Sequence, residues 1–211
     1  AWGAGNVITT AMASVVVIDT DAGLQGCGEF TPCGENYMVA HSHGVEALAK
    51  LVAPVLIGED PRQLGRIEQL LDHTAQGHGY AKAPFDAACW DILGQATGQP
   101  VWMLLGGKLT DGAPMYRVAP QNQLDDTIAE MKRYRQAGYR QFQIKVGADW
   151  QGDIERIRHG VSLLTEGEKA MADANQGWRV DNAVRVALAT KDLDYILEQP
   201  CRTYEECQQV R

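Results

Sequence analysis

Three charged residues each stand at the end of a short apolar run. Lys145 follows Gln141-Phe-Gln-Ile144, Asp173 follows Lys169-Ala-Met-Ala172, and Glu198 follows Asp194-Tyr-Ile-Leu197. Two carboxylates with no histidine or cysteine beside them are hard oxygen donors, which suit Mg²⁺, with Mn²⁺ as the alternative, better than zinc. A lysine held next to a divalent cation has its ammonium form disfavoured by like charge, which suits a general base. Each residue also has a plainer reading. A strand-end lysine is usually solvated, and an Asp or Asn ahead of a helix commonly caps its first turn. Asn175 suits such a cap, whereas Asp173, still on its strand, suits a metal ligand. Glu198 ends an apolar strand that Gln199-Pro200 prevents from continuing, and a carboxylate there needs a partner because a bare buried charge is costly. Two carboxylates are one short of a typical protein set, and the third is expected one repeat further on, beyond Arg211.

The elements that must position these residues follow from their spacing, 28 and then 25 residues, about one strand plus one helix. Strands are predicted over 115–119, 140–146, 169–173 and 193–198. Helices are predicted over 124–137, 153–164, 179–190 and 204–211. Right-handed crossovers make such a βα repeat a parallel sheet. In a parallel α/β barrel the C-terminal strand ends share one mouth, where active sites are built. Four strands cannot close an eight-stranded barrel. The chain also begins at Ala1 without a methionine and stops inside a helical pattern. It therefore reads as a fragment of a longer protein rather than an open sheet of another type.

The first half reads differently. A strand over 9–20, a turn at Asp21-Ala-Gly23 and a strand over 24–30 form a hairpin. The turn-rich loop Thr31-Pro-Cys-Gly-Glu-Asn-Tyr37 follows, then helical periodicity over 43–52, 63–71 and 83–97. On the last helix Phe85, Cys89, Trp90 and Leu93 form the expected core strip. Asp86 and Asp91 are five apart and so on different faces, which points to polar contacts at helix ends or between domains rather than a metal pair. Gly26-Cys-Gly-Glu29 lies in the hairpin with no P-loop lysine after it, and His78 is expected to be a structural loop residue.

Bulk properties narrow the function classes. With 211 residues and 45 % hydrophobic content, the chain can bury a sizeable core in one large domain or two modest ones. Apolar runs such as Val15 to Ile18 are too short to span a bilayer, and no basic-then-apolar leader opens the chain. Net charge is −8 with scattered lysines and arginines, which argues against a nucleic-acid partner. Five cysteines without C-x-x-C spacing predict reduced thiols in a cytoplasmic protein.

At this point the residues resemble the enolase superfamily in its mandelate racemase and muconate lactonizing branch. The motifs are Gly26-Cys-Gly-Glu29, the stretch Ala83 to Gly94, Leu104-Leu-Gly-Gly107, Gln143-Ile-Lys145-Val-Gly147, Asp173-Ala-Asn175 and Glu198-Gln-Pro200. They run through the whole chain in the family's order. Within the branch, the motifs around Lys145, Asp173 and Glu198 look most like cis-3-hydroxy-L-proline dehydratases and hydroxyproline-betaine epimerases. The resemblance implies an α/β protein: an α+β capping domain, here 1–107 without its first strand, followed by a (β/α)₇β TIM-like barrel, of which 108–211 holds about the first four βα units. It implies Lys145 as the base, Asp173 and Glu198 as the first two Mg²⁺ ligands, and Asn175 as a supporting residue. Gln143 stands where many relatives have a first lysine, which is compatible with a dehydratase. Thr31 to Tyr37 matches a specificity loop, with Tyr37 against the substrate, and Trp2 to Asn6 looks like the tail of another. The implied partners are a small carboxylate substrate and further copies in a dimer or octamer. The reading is dehydration of cis-3-hydroxy-L-proline by a lyase. The alternatives are epimerisation of a proline betaine or N-substituted amino acid, sugar-acid dehydration, or an inactive half-barrel remnant.

Overall fold

The computed structural model describes residues 12–32, 38–119 and 124–211. Tyr37 and the stretch Trp2 to Asn6 lie outside these residues. The chain divides into two compact units, one within Ile8–Asp111 and one within Gly112–Arg211, each with its own buried cluster. Among the described residues no helix is long and apolar enough to cross a membrane.

In the first unit, β1 (Ser14–Asp19) pairs antiparallel with β2 (Gln25–Phe30), in a register running from Ser14 opposite Phe30 to Asp19 opposite Gln25. Four helices follow: α1 (Gly44–Leu56), α2 (Leu64–Thr74), α3 (Gly79–Thr97) and the short α4 (Val101–Leu104). The Gly26-Cys-Gly motif has a steric cause. A Cβ at Gly26 would lie 2.2 Å from the Ala88 carbonyl, and one at Gly28 1.9 Å from that of Pro84, so β2 rests backbone-to-backbone on α3. Asp91 fixes the same contact, accepting from the Cys27 amide at 3.0 Å, while Gln95 Nε2 donates to the Gln25 carbonyl at 2.7 Å. Asp91 thus joins the middle of α3 to β2 rather than serving a helix end.

Two local expectations needed revision here. Helix α3 begins at Gly79 rather than Ala83 and runs through Pro84, because burial of Ala81, Lys82, Pro84 and Phe85 outweighs the backbone hydrogen bond that proline removes. The buried strip is Phe85, Ala88, Cys89 and Ile92, with Trp90 and Leu93 only half-buried. Among the described residues Cys27, Cys89, Cys201 and Cys207 are free thiols, and burial pushes Cys89 up to about 11.

The second unit is a parallel sheet in the order β3 (Tyr116–Ala119), β4 (Gln141–Lys145), β5 (Lys169–Asp173) and β6 (Ile196–Glu198). Helices α5 (Leu124–Gln136), α6 (Trp150–Ser162), α7 (Val180–Ala189) and α8 (Tyr204–Val210) alternate with the strands. Ile144, Ala170 and Ala172 share a cluster with Ile157 of α6 and Ala183 and Val186 of α7, so this sheet face is the core. Helix α6 starts three residues before Asp153 because Asp149 caps it, its carboxylate accepting from the Gly152 amide at 3.1 Å. Strand β6 is only three residues long, since a turn closed by Leu193 N–H on the Thr190 carbonyl occupies its expected start.

A half-buried ion pair ties α5 to the approach of β5. Arg135 holds Glu168 through Nε at 2.7 Å and Nη2 at 2.8 Å and also donates to the Leu163 carbonyl. The Glu168 side chain is 1 % exposed. Removing Glu168 takes two charge-assisted hydrogen bonds from an Arg135 side chain that is 26 % exposed and can still be partly solvated, so Glu168→Ala should cost about 2 kcal/mol in a denaturant melt at neutral pH. Hydrogen bonding to Arg135 holds the Glu168 carboxyl below its ordinary 4.5. Its stabilisation is therefore full above about that value and fades as pH falls through the lower folded-state value. The variant should accordingly lose less stability than the unsubstituted protein over that acid range.

Candidate active site

The register of the parallel sheet sets the site. Lys145 lies directly opposite Asp173, and Asp173 directly opposite Glu198. With neighbouring strands about 4.8 Å apart, the three side chains form one row across β4, β5 and β6. Each strand's even spacing turns Ile144, Ala172 and Leu197 to the helices and leaves the charged row, with Gln143 two residues before Lys145, on the other face. The apolar residues are thus what aim the polar ones.

Polar contacts knit the row together. Gln143 Nε2 donates to Asp173 Oδ2 at 3.1 Å and to Glu198 Oε2 at 3.0 Å. Lys145 Nζ contacts the same Asp173 oxygen and donates to Asn175 Oδ1 at 3.0 Å. Asn175 Nδ2 donates to Asp173 Oδ2 and its backbone N–H to Oδ1, both at 2.8 Å. The Asp173 side chain is 2 % exposed and that of Lys145 12 %, so the lysine is not a solvated strand-end residue. Glu198 is half-buried. Asn175 is not a helix cap, since α7 begins only after Arg179. It stands in the left-handed region at φ 45°, as do Gln176 at 65° and Gln199 at 43°, a backbone choice that costs free energy and clusters at functional sites.

The loops beyond the strands are held as tightly as the strands. The ladder continues through Val146 N–H to Asp173 O, Ala174 N–H to Glu198 O, Gln176 N–H to Gln199 O and Trp178 N–H to Pro200 O, at 2.8–3.2 Å. Gly147 has φ 106°, and a Cβ there would lie 2.2 Å from the Ala174 carbonyl, so the loops after β4 and β5 touch backbone to backbone. Sequence reasoning missed one member of this assembly, Asp153 on α6. Its side chain has no exposure, and one carboxylate oxygen accepts from Gly147 N–H at 2.9 Å and Trp178 Nε1–H at 3.1 Å. The signal was available: Asp153 shares the buried stripe of α6 with Ile157 and Gly160, where an acid is out of place. Burial pushes its carboxyl above the ordinary 3.8, against the hydrogen bonds that lower it.

The donor chemistry fits a divalent cation. Asp173 and Glu198 share one amide donor, so their oxygens converge on a single point, and hard anionic oxygens are what Mg²⁺ takes. Among the described residues no group of three or more His, Cys, Asp or Glu converges on a metal position; the Asp173–Glu198 pair is what the row offers. Of the sequence-predicted residues, Gln143, Lys145, Asp173, Asn175 and Glu198 come together, and Tyr37 is outside the described residues.

The chain is similar to known proteins along both of its halves. Residues 4–106 match the mandelate racemase/muconate lactonizing enzyme N-terminal domain, and residues 126–211 match the enolase C-terminal domain-like family. The chain is 43 % identical over 210 residues to cis-3-hydroxy-L-proline dehydratase of Roseibium aggregatum, covering 100 % of this chain and 57 % of the relative. A mandelate racemase/muconate lactonizing enzyme structure from Roseovarius nubinhibens superposes with a TM-score of 0.91 at 79 % identity, over 95 % of this chain and 56 % of that one. An enolase superfamily member from the same organism, complexed with magnesium, superposes with a TM-score of 0.87 at 36 % identity, over 95 % and 55 %. The chain thus spans little more than half the length of these relatives. With both halves matched in order, this chain belongs to the mandelate racemase/muconate lactonizing enzyme family of the enolase superfamily.

Proposed function

We propose that the protein abstracts the α-proton of a small carboxylate substrate with Mg²⁺ as cofactor, and that its reaction is the dehydration of cis-3-hydroxy-L-proline. On this reading the first unit is the capping domain and the second supplies four βα units of a (β/α)₇β barrel. The observation that carries the proposal is the single row of Lys145, Asp173 and Glu198 on adjacent strands, with Gln143 and Asn175 joining them. The 43 % identity to a cis-3-hydroxy-L-proline dehydratase supports the substrate.

Each residue then has a task. Asp173 and Glu198 hold the cation, and Gln143 keeps their carboxylates facing one point. When bound, Mg²⁺ supplies positive charge where the substrate carboxylate gains negative charge as the proton leaves. Lys145 Nζ takes that proton, and Asn175 orients the amine through Oδ1. The row's two carboxylates would repel an anionic substrate by themselves, so the charge that a dication supplies would be what lets a carboxylate approach. With Lys145 as the neutral amine that a base requires, two carboxylates and a dication cancel, and the neutral amide at Gln143 leaves that balance unchanged where a second lysine would make it positive. Once the proton is lost, the electron pair left at the α-carbon expels the β-hydroxyl, which leaves as water after protonation. A substrate without that hydroxyl can only be reprotonated.

The test is a panel of proline derivatives incubated with Mg²⁺ and the intact gene product in D₂O, followed by NMR and mass spectrometry. The expected outcome is a product lighter by one water from cis-3-hydroxy-L-proline. Deuterium uptake with inversion and no water loss from proline betaines would move the assignment to an epimerase. Turnover of sugar acids alone would overturn the proline reading.

A further inference from the structure

We propose that Asp153, remote from the substrate-facing row, is a positioning residue for Lys145, an inference that rests on the α-proton abstraction proposed above. One carboxylate oxygen of Asp153 accepts both the Gly147 amide and the Trp178 indole N–H, while the other engages the Arg156 guanidinium. Gly147 is two residues beyond Lys145, and Trp178 is three beyond Asn175, the residue whose Oδ1 meets the lysine amine. A single atom on α6 therefore ties the loop that follows the base to the loop that orients it.

A purely structural acid would be an expensive way to join two loops. The site has no solvent exposure, and an apolar residue of similar size would avoid the cost of burying a carboxylate. An acceptor of two donors aimed from different loops does what an apolar residue cannot, because it sets their separation. The consequence differs along the row. Asp173 and Glu198 sit on strand ends whose ladder bonds, Val146 to Asp173 and Ala174 to Glu198, do not involve Asp153. The carboxylate pair should therefore keep its place without Asp153. What loosens is Gly147, two residues past Lys145, and Trp178 at the end of the stretch that begins with Asn175, so the separation of the two loops that flank the amine is no longer fixed.

The experiment compares Asp153→Ala, Asp153→Asn and Trp178→Phe in the intact gene product, measuring α-proton exchange kinetics, Mn²⁺ affinity and amide hydrogen exchange at Gly147. Asp153→Ala should lower kcat between about tenfold and about 100-fold, the scale of a small misplacement of a reacting group. KM and Mn²⁺ affinity should stay within about twofold, as expected when only the proton-transfer step is disturbed. Asp153→Asn should recover most of kcat, since its amide oxygen can accept both N–H groups while its nitrogen faces the half-exposed Arg156. Trp178→Phe, which keeps a buried ring and removes one donor, should give a smaller loss confined to kcat and serves if the alanine variant does not fold. An unchanged kcat in Asp153→Ala, or in Trp178→Phe where the alanine variant does not fold, or a parallel fall of kcat and Mn²⁺ affinity, overturns the proposal. If the unsubstituted protein exchanges no substrate proton, the functional reading fails by itself. The clamp is then decided by Gly147, whose amide must exchange slowly in the unsubstituted protein and Asp153→Asn and fast in Asp153→Ala.

Discussion

Lys145→Ala should reduce solvent-deuterium exchange at the substrate α-carbon by about 10²- to 10⁴-fold, the usual worth of a positioned general base, while leaving the fold intact. The second half of that expectation comes from the hydrogen-bond pattern around Asp173. Without the lysine, Asp173 still accepts from Gln143, from the Asn175 side chain and from the Asn175 amide, so its carboxylate is not stranded. Circular-dichroism melts should therefore show a small change beside a large kinetic one. Lys145→Arg separates the two roles a lysine can play here. It restores a cation but cannot give up a proton near neutral pH, so it should remain as inactive as the alanine variant. Exchange retained in either variant would remove Lys145 as the base.

Asp173→Asn should abolish measurable divalent-cation binding, an effect larger than the roughly 10- to 100-fold loss caused by removing a residue that merely supports a ligand. Asp173 Oδ2 is the meeting point of Gln143 Nε2, Lys145 Nζ and Asn175 Nδ2. An amide there either presents its NH₂ to these donors or turns it toward the Asn175 backbone N–H that Oδ1 accepts. One N–H group is left facing another in either case, and Glu198 is left as the one carboxylate of the pair. The measurement is titration with Mn²⁺ followed by its electron paramagnetic resonance signal. A variant that still binds with an affinity near that of the unsubstituted protein would take Asp173 out of the metal site. The same substitution removes the anionic partner of Lys145, so a loss of thermal stability should accompany the loss of binding, distinguishing it from Glu198→Gln.

Much of this was legible in the residues because strand ends announce themselves. Apolar runs closed by Gly147 or Gln199-Pro200 gave the last strand residues, and parallel pairing then put Lys145, Asp173 and Glu198 opposite one another. The rest depended on contacts that a linear pattern does not encode. Residue type alone makes Asn175 a helix cap, while the family resemblance makes it a supporting residue; its left-handed backbone and its hydrogen bonds to Asp173 and Lys145 accord with the second reading. The start of α3 was hidden by Pro84, a residue that reads as a first-turn signal but is carried inside the helix by packing against β2. Strand β6 was overestimated because Leu193 and Tyr195 are apolar enough to extend it, although a turn and the Tyr195 hydroxyl on Thr190 give them other work. Asp153 escaped notice because it stood at a helix start, where acids are ordinary.

The backbone contact between the loops after β4 and β5 has a bearing on how this scaffold can change its substrate. Gly147 leaves no room for a side chain against Ala174, and a Cβ at Gly177 would sit 2.2 Å from the Gly147 carbonyl. Neither loop can lengthen, shift or accept a bulkier residue at these points unless the other moves with it. For protein engineers the exchangeable module is therefore the pair, residues 146–149 together with 174–178, transplanted as one piece. Libraries that diversify one loop alone should yield mostly unfolded proteins.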